Sequence, residues 1–419
     1  MAAAPVFVTG AGVVSPIGST LADFDASLFG GRSAVRALAV DLPGIVVPPV
    51  PVAPCPFDVA GVAAPSRLPL DRGTAMALTA ARNAAQHAAL APGTYDTQRL
   101  GIYWGSGMAG AATFEATCRA VYADRKRMRP TSVVTTMPNA PLAEIALHFQ
   151  ARGAALAYAC ACASSAVAIG EAMRALRAGW IDVAIAGGSE AMLVPGVLAS
   201  WQAMRVLSPV SLDDGAKAAA CCRPFAADRS GFAIGEAAAA LVIESAAHAR
   251  ARSAAPKGQL AGYASNCDGV HITQPDATGQ ARAMRAALDD AGLAPADIGY
   301  VNAHGTATTA GDAAEAASLA DVFGPGGVAV SSTKAIHGHL LGAGGAVELL
   351  ATVRALEHGR LPPNVNVTAA DAAFRIDLVL GSAREAPSLR SAMTNSFAFG
   401  GTNAVLIATA AGNSPRRLG

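Results

Sequence analysis

The chain has 419 residues, a formal charge of +1 and only 15% charged residues. Charges that nearly cancel leave no overall field to hold a nucleic-acid backbone or an anionic membrane surface. The length is enough for two or three units of ~150 residues, and the Ala- and Gly-rich, weakly charged composition excludes a disordered chain, so a compact soluble enzyme is expected.

The first residues lack a basic n-region, and their apolar run breaks at Gly10 and Gly12, too early for a signal peptide or a membrane span. The seven cysteines (Cys55, Cys118, Cys160, Cys162, Cys221, Cys222 and Cys267) are odd in number and lack framework spacing. Reduced thiols in the cytoplasm are therefore expected, and without a Cys-x-x-Cys pair no metal site is expected.

A strand is predicted at residues 6–8, followed by a Gly-rich turn at Gly10-Ala11-Gly12. That turn lacks the third glycine of a dinucleotide fingerprint, and Pro16 interrupts where the phosphate-binding helix should begin. Residues 42–56, rich in Pro and Val, read as an extended surface loop. Helices are predicted at 75–90, 111–123, 142–150 and 163–178, and buried strands at 182–188 and 237–244. After about residue 250 the pattern restarts, with strands at 260–264, 300–303 and 328–331 and helices at 279–291 and 312–322. Such alternation indicates α/β architecture with mixed, mostly parallel sheets.

One internal echo supports two equivalent halves. Arg174, Ala175, Leu176 and Gly179 match Arg354, Ala355, Leu356 and Gly359 in register, each glycine standing where a helix end favours left-handed backbone. Two halves meeting at a shared site would explain why the reactive residues lie far apart in sequence.

Those residues begin with Cys162, in Tyr158-Ala-Cys-Ala-Cys-Ala-Ser-Ser165 at the start of a predicted helix. The unpaired N–H groups and positive dipole of a first helical turn favour thiolate over thiol. Small neighbours permit close approach of a thioester, whereas Cys160, ahead of the helix, reads as packing. Downstream lie His304 in Asn302-Ala-His-Gly-Thr306, and Lys334 and His339 in Ser332-Thr-Lys-Ala-Ile-His-Gly-His339. Neutral imidazoles in Gly-flanked motifs suit donation of N–H bonds to an oxyanion.

With Asn395-Ser-Phe-Ala-Phe-Gly-Gly-Thr-Asn403, these segments closely resemble the β-ketoacyl-acyl-carrier-protein synthases, nearest to the elongating type II fatty-acid and polyketide ketosynthases, over nearly the whole chain. The resemblance implies a thiolase-like α/β fold, two similar halves forming a five-layered αβαβα sandwich, and a dimer. The expected units are an N-terminal half at 1–250 with the cysteine, a C-terminal half at 251–411 with the histidines and lysine, and a flexible tail at 412–419.

The implied activity is decarboxylative condensation of malonyl-acyl-carrier protein with an acyl group on Cys162, with His304 and His339 polarising the thioester carbonyl. Lys334 is implied to support His304, and Glu348 to pair with Lys334; a purely structural buried ion pair is the alternative for those two. Phe399 is the implied gate beside Phe397, and an N–H of that Gly-rich segment completes an oxyanion hole. Thr306, Thr308 and Thr273 match positions that bind a phosphopantetheine arm, although turn threonines would look the same. Met108 matches a tunnel-lining residue or an ordinary core methionine. Lys126 and Arg127, extended by Arg67 and Arg72, are the implied dock for an acidic carrier protein. His337 is taken as non-catalytic.

No cofactor is implied, because the phosphopantetheine arm belongs to the carrier protein. Expected partners are that carrier, acyl and malonyl thioesters, and a second subunit, either an identical chain or a chain-length partner of a polyketide or aryl-polyene system. A thiolase is the alternative enzyme. Thr309, Thr131, Ser132, Glu144 and a long segment at 209–222 depart from the family pattern; they bear on the acyl pocket and leave the reacting residues intact.

Overall fold

The computed structural model describes residues 4–412, so residues 413–419 of the expected flexible tail lie outside it. Ten strands fall into two runs of five. The first comprises β1 (Val6–Val14), β2 (Leu100–Gly105), β3 (Ala155–Tyr158), β4 (Val183–Glu190) and β5 (Ala237–Ser245). The second comprises β6 (Gly258–Cys267), β7 (Tyr300–Asn302), β8 (Ala329–Ser331), β9 (Ser391–Phe397) and β10 (Thr402–Ala410).

Their spatial orders are the same: β1-β5-β4-β2-β3 and β6-β10-β9-β7-β8. In each run the first three strands in space are antiparallel neighbours and the last two join in parallel. Antiparallel pairing of β1 with β6 fuses both runs into one sheet, which a two-residue strand, Asp377–Leu378, ends beside β8.

The helices repeat as well. In the first half α1 (Arg72–His87), α2 (Ala140–Phe149) and α3 (Ser164–Arg177) occupy the same three inter-strand slots as α4 (Ala277–Ala291), α5 (Thr309–Phe323) and α6 (Gly344–His358) in the second. The short echo at Arg174 and Arg354 is thus the visible trace of a complete structural repeat.

Packing explains the long apolar runs. Along β5, Ala237, Ala239, Leu241 and Ile243 face a central core built from α3 and α6, while Ala238, Ala240 and Val242 face a second core with α1 and α2. On β10, Ala404, Leu406 and Ala408 join the central core, and Val405 and Ile407 join a third with α4. A strand buried on both faces has no polar face to alternate with, which is why β5 reads as an unbroken apolar segment.

Four sequence expectations change. The main sheet is mixed as expected but not mostly parallel, with five antiparallel and five parallel pairings. Gly10-Ala11-Gly12 is no turn: β1 runs straight through it with a bulge after Val8. The glycines let the strand pass beneath α1, since a Cβ on Gly12 would lie 2.2 Å from the Ala80 carbonyl and one on Gly10 2.5 Å from that of Ala84. The extended loop at 42–56 contains a fully buried strand, Val50–Ala53, paired with Arg36–Leu38 and Ile234–Gly235. Strands β2, β3, β9 and β10 were not predicted. Segments such as Leu100–Gly105 and Ala155–Tyr158 are short and lack apolar–polar alternation, and the pairing of neighbouring strands fixes them instead. Among the described residues all seven cysteines are unpaired, and no helix is long and apolar enough to cross a membrane.

Candidate active site

Cys162 lies in a 3-10 turn, Ala161–Ala163, that leads into α3. Ala161 adopts φ +47°, left-handed for a residue with a Cβ, and this twist turns the next side chain into a cavity between the halves. The cavity, about 240 Å³, is lined by Cys162, His304, His339, Phe397 and Phe399, and also by Thr306, by the half-buried Thr308 and by the exposed Thr273.

The loop after β7 carries His304, and residues after β8 carry His339, so equivalent ends of two parallel strands deliver both rings. The Cys162 sulfur and one nitrogen of each histidine lie within 4.8 Å of one another. His339 Nε2 is 3.1 Å from Cys162 Sγ, and the two imidazoles meet edge to face with centroids 5.4 Å apart.

Hydrogen bonding settles the tautomer of His339. Its Nδ1 accepts the Leu341 backbone N–H at 3.3 Å, which leaves the ring proton on Nε2, facing the sulfur. Burial, reinforced by the Lys334 ammonium, holds both His304 and His339 well below the ordinary imidazole range, so each ring is neutral. His339 is therefore a donor toward Cys162 and not a base that takes its proton.

Burial pushes the Cys162 thiol up to about 12, opposed by Lys334 and by the Phe399 backbone N–H. The expected thiolate is thus not the resting form, because desolvation of an almost fully buried sulfur outweighs the helix start. The N–H that faces the sulfur belongs to Phe399. Those of the following glycines are engaged elsewhere, Gly400 with the Ile272 carbonyl at 2.8 Å and Gly401 with that of Ala398 at 3.1 Å.

Lys334 and Glu348 form a fully buried ion pair behind the cavity, off its lining. Burial raises the Glu348 carboxyl, and the neighbouring ammonium pulls it back down. His337 is buried, held by the Gly338 carbonyl at 2.7 Å and Thr333 Oγ1 at 2.9 Å, away from the sulfur. Cys160 packs against the central core, as expected. Thr306 and Thr308 share a hydroxyl–hydroxyl bond of 2.9 Å, and Thr308 also caps α5.

Five further expected residues lie off the cavity lining, four of them the expected docking residues. Met108 is 49% exposed and does not line the cavity. Lys126, Arg127 and Arg67 are exposed on the outer surface. Arg72 does not present a free cation: it bonds Glu236 Oε1 at 2.6 Å and the carbonyls of Cys55 and Phe57 at 2.7 and 2.9 Å. It borders the groove that holds Lys126 and Arg127, but as a half-buried strut.

Sequence reasoning missed several contributors. Glu315 accepts the backbone N–H groups of His304 and Gly305 at 2.8 and 2.7 Å, and Asp312 accepts those of Phe225 and Ala307 at 2.6 and 3.0 Å. Two carboxylates three apart on the Ala-rich helix α5 were the available signal. Trp201 stacks on Phe399 at 6.3 Å and meets Phe232 edge-on at 5.7 Å; Phe232 in turn lies edge-on to His339 at 5.0 Å.

The chain as a whole has relatives. Residues 3–249 match the beta-ketoacyl synthase N-terminal domain, and residues 257–368 match the C-terminal domain. The chain belongs to the beta-ketoacyl synthase family. It is 39% identical to nodulation protein E of Rhizobium leguminosarum bv. trifolii over 340 residues, covering 80% of this chain and 82% of that one. It is 37% identical to 3-oxoacyl-[acyl-carrier-protein] synthase 2 of Staphylococcus aureus over 344 residues, covering 81% and 84%.

Among solved structures, the ishigamide ketosynthase/chain length factor superposes with a TM-score of 0.89 at 30% identity, over 98% of this chain and 100% of that one. A type II polyketide ketosynthase in complex with its acyl-carrier protein (AntDE:AntF) gives 0.88 at 28%, over 97% and 99%. This ketosynthase is a condensing enzyme of the 3-oxoacyl synthase 2 type, an acyltransferase with the α/β ketosynthase fold in N- and C-terminal halves.

Proposed function

We propose that the enzyme condenses malonyl-acyl-carrier protein with an acyl group held on Cys162, giving 3-oxoacyl-acyl-carrier protein, and that Cys162, His304 and His339 carry the reaction. The observation that carries this reading is the 3.1 Å approach of a neutral Nε2 donor to the buried sulfur. In the first half-reaction Cys162 attacks the carrier thioester, the carrier thiol departs with the cysteine proton, and the acyl-cysteine forms. The Phe399 N–H stabilises the oxyanion of that exchange.

In the second, malonyl-carrier protein loses carbon dioxide, and the electron pair of the broken bond becomes an enolate whose oxygen takes N–H bonds from His304 and His339. The enolate carbon attacks the acyl carbonyl, and the Cys162 thiolate leaves and is reprotonated. Neutral rings suit this, because an imidazole N–H stabilises the oxyanion without a proton having to be placed first. Burial keeps them neutral, and Lys334, paired with Glu348, adds to this from behind. Thr306, Thr308 and Thr273 take the phosphopantetheine arm at the mouth, and Phe399 gates it.

Lys126 and Arg127, with Arg67, form the docking patch for an acidic carrier protein, a partner class seen with the AntDE ketosynthase. The halves are assigned to 1–250 and 251–411, and the three cores separated by two runs of strands support a five-layered sandwich. A second chain of this fold covers β3, whose outer edge is unpaired among the described residues, together with the exposed Phe114, Val133, Val134, Met137, Leu147 and Leu156. Seven free thiols support a cytoplasmic setting.

Intact-mass spectrometry after incubation with a panel of acyl-carrier proteins tests the first step. One acyl group per chain, mapped to Cys162, is expected; an adduct on another residue contradicts the assignment.

A further inference from the structure

Glu190 ends β4 fully buried, and nothing in the two half-reactions uses it. Its carboxylate is nonetheless surrounded by donors from both halves. Oε2 accepts the N–H groups of Gly107 at 2.6 Å and Gly342 at 3.1 Å, while Oε1 accepts the Met108 N–H at 3.1 Å and the Ser106 hydroxyl at 3.3 Å. Space for it depends on glycine: a Cβ on Gly342 would stand 2.6 Å from Oε2, and one on Gly107 2.8 Å.

The repeat shows what this contact is. In the register that aligns Arg174 with Arg354, Cys162 aligns with Gly342. Ala161 and Leu341 share left-handed φ values of +47° and +50°, and Ala163 and Ala343 are the N-caps of α3 and α6. One turn presents the nucleophile to a thioester. Its twin presents a backbone N–H to a resident carboxyl group, Glu190, which burial pushes up to about 7 against the pull of its main-chain donors.

That twin turn also holds the histidine. Leu341, one residue before Gly342, is the residue whose N–H bonds His339 Nδ1 and so keeps the ring proton on Nε2. We propose that Glu190 is a positioning residue: by anchoring Gly342 it locks the Leu341–Ala343 turn, and through the Leu341 N–H it holds His339 in the tautomer that donates to Cys162. The catalytic importance of this rests on the role given to His339 above; the structural link does not.

The test uses the full chain with nitrogen-15-labelled histidine, with the His339 signals identified by their loss in His339→Asn. Two-bond nitrogen–proton correlation reads the tautomer, and malonyl decarboxylation and Cys162 acylation are assayed separately. Wild type is expected as the single Nε2–H form. Glu190→Ala is expected to populate both tautomers, and to lose at least ~10-fold in decarboxylation while acylation changes less than ~3-fold, against the ~10²–10³ that a lost oxyanion donor costs. Glu190→Gln, whose carbonyl oxygen can still accept Gly107 and Gly342, is expected to restore the wild-type form. Should Glu190→Ala fail to fold, Glu190→Asp decides, since its shorter side chain keeps the carboxyl group but does not reach Gly342. A folded Glu190→Ala or Glu190→Asp protein with the wild-type tautomer and undiminished decarboxylation overturns the proposal. A tautomer shift in an enzyme that decarboxylates nothing supports the positioning role and sinks the ketosynthase chemistry instead.

Discussion

His339 Nε2 lies 3.1 Å from Cys162 Sγ, although 177 residues separate them in sequence. The proton on that nitrogen is fixed by the Leu341 N–H on the far side of the ring. His339→Ala is therefore expected to lower malonyl decarboxylation by ~10²–10³-fold, with a much smaller loss in acyl transfer to Cys162. His339→Gln, which keeps an N–H donor, should retain more. Separate assays of the two half-reactions check this, and equal losses in both would remove the division of labour.

The thiol raised to about 12 sets a pH dependence. At neutral pH the folded protein holds the neutral thiol, and only the minor thiolate reacts. Alkylation of Cys162 by iodoacetamide should then rise about tenfold per pH unit up to about pH 10 without a plateau. The two histidines, held low by burial, should add no inflection between pH 6 and 8. A plateau near neutrality would mean that the helix start prevails over desolvation.

For Lys334 and Glu348, removing one partner strands a buried charge. Lys334→Met or Glu348→Leu alone should cost about 3–5 kcal/mol, read as a lowered denaturation midpoint. The double substitution should regain much of that stability. Decarboxylation should stay impaired in it, which separates the electrostatic duty of Lys334 toward the histidines from a purely structural ion pair.

At the surface, Lys126→Glu with Arg127→Glu should raise KM for the carrier protein severalfold at low salt while leaving kcat nearly unchanged, with the effect fading as salt rises. Arg72→Ala should instead lower the unfolding midpoint, because its guanidinium is tied to Glu236, Cys55 and Phe57.

A packing prediction concerns β1. Gly12→Ala would place a methyl group 2.2 Å from the Ala80 carbonyl, so strand and helix must separate. A loss of at least about 2 kcal/mol is expected by chemical denaturation.

The sequence made the reacting groups legible because cysteine and histidine in Gly- and Ala-rich surroundings are rare enough to stand out. The repeat was read from the ends of α3 and α6; in the same register Ala163, Ala166 and Val167 also match Ala343, Ala346 and Val347, and beyond these helices the repeat shows in the strand order. Gly10 and Gly12 misled because a glycine that ends a strand and one that admits a crossing helix look alike in one dimension. Glu190 and Glu315 stayed hidden for a related reason: each acts by accepting backbone N–H groups from distant segments, and no local spacing announces that. Arg72 does border the groove with Lys126 and Arg127, but its ion pair was illegible because the partner Glu236 lies 164 positions away.

The most direct test follows product formation from acyl- and malonyl-carrier protein by mass spectrometry, for the wild-type enzyme and Cys162→Ala side by side. The wild type should release carbon dioxide and form 3-oxoacyl-carrier protein, and Cys162→Ala should form none while still binding both carriers. Continued 3-oxoacyl production by Cys162→Ala would contradict the assignment of the nucleophile.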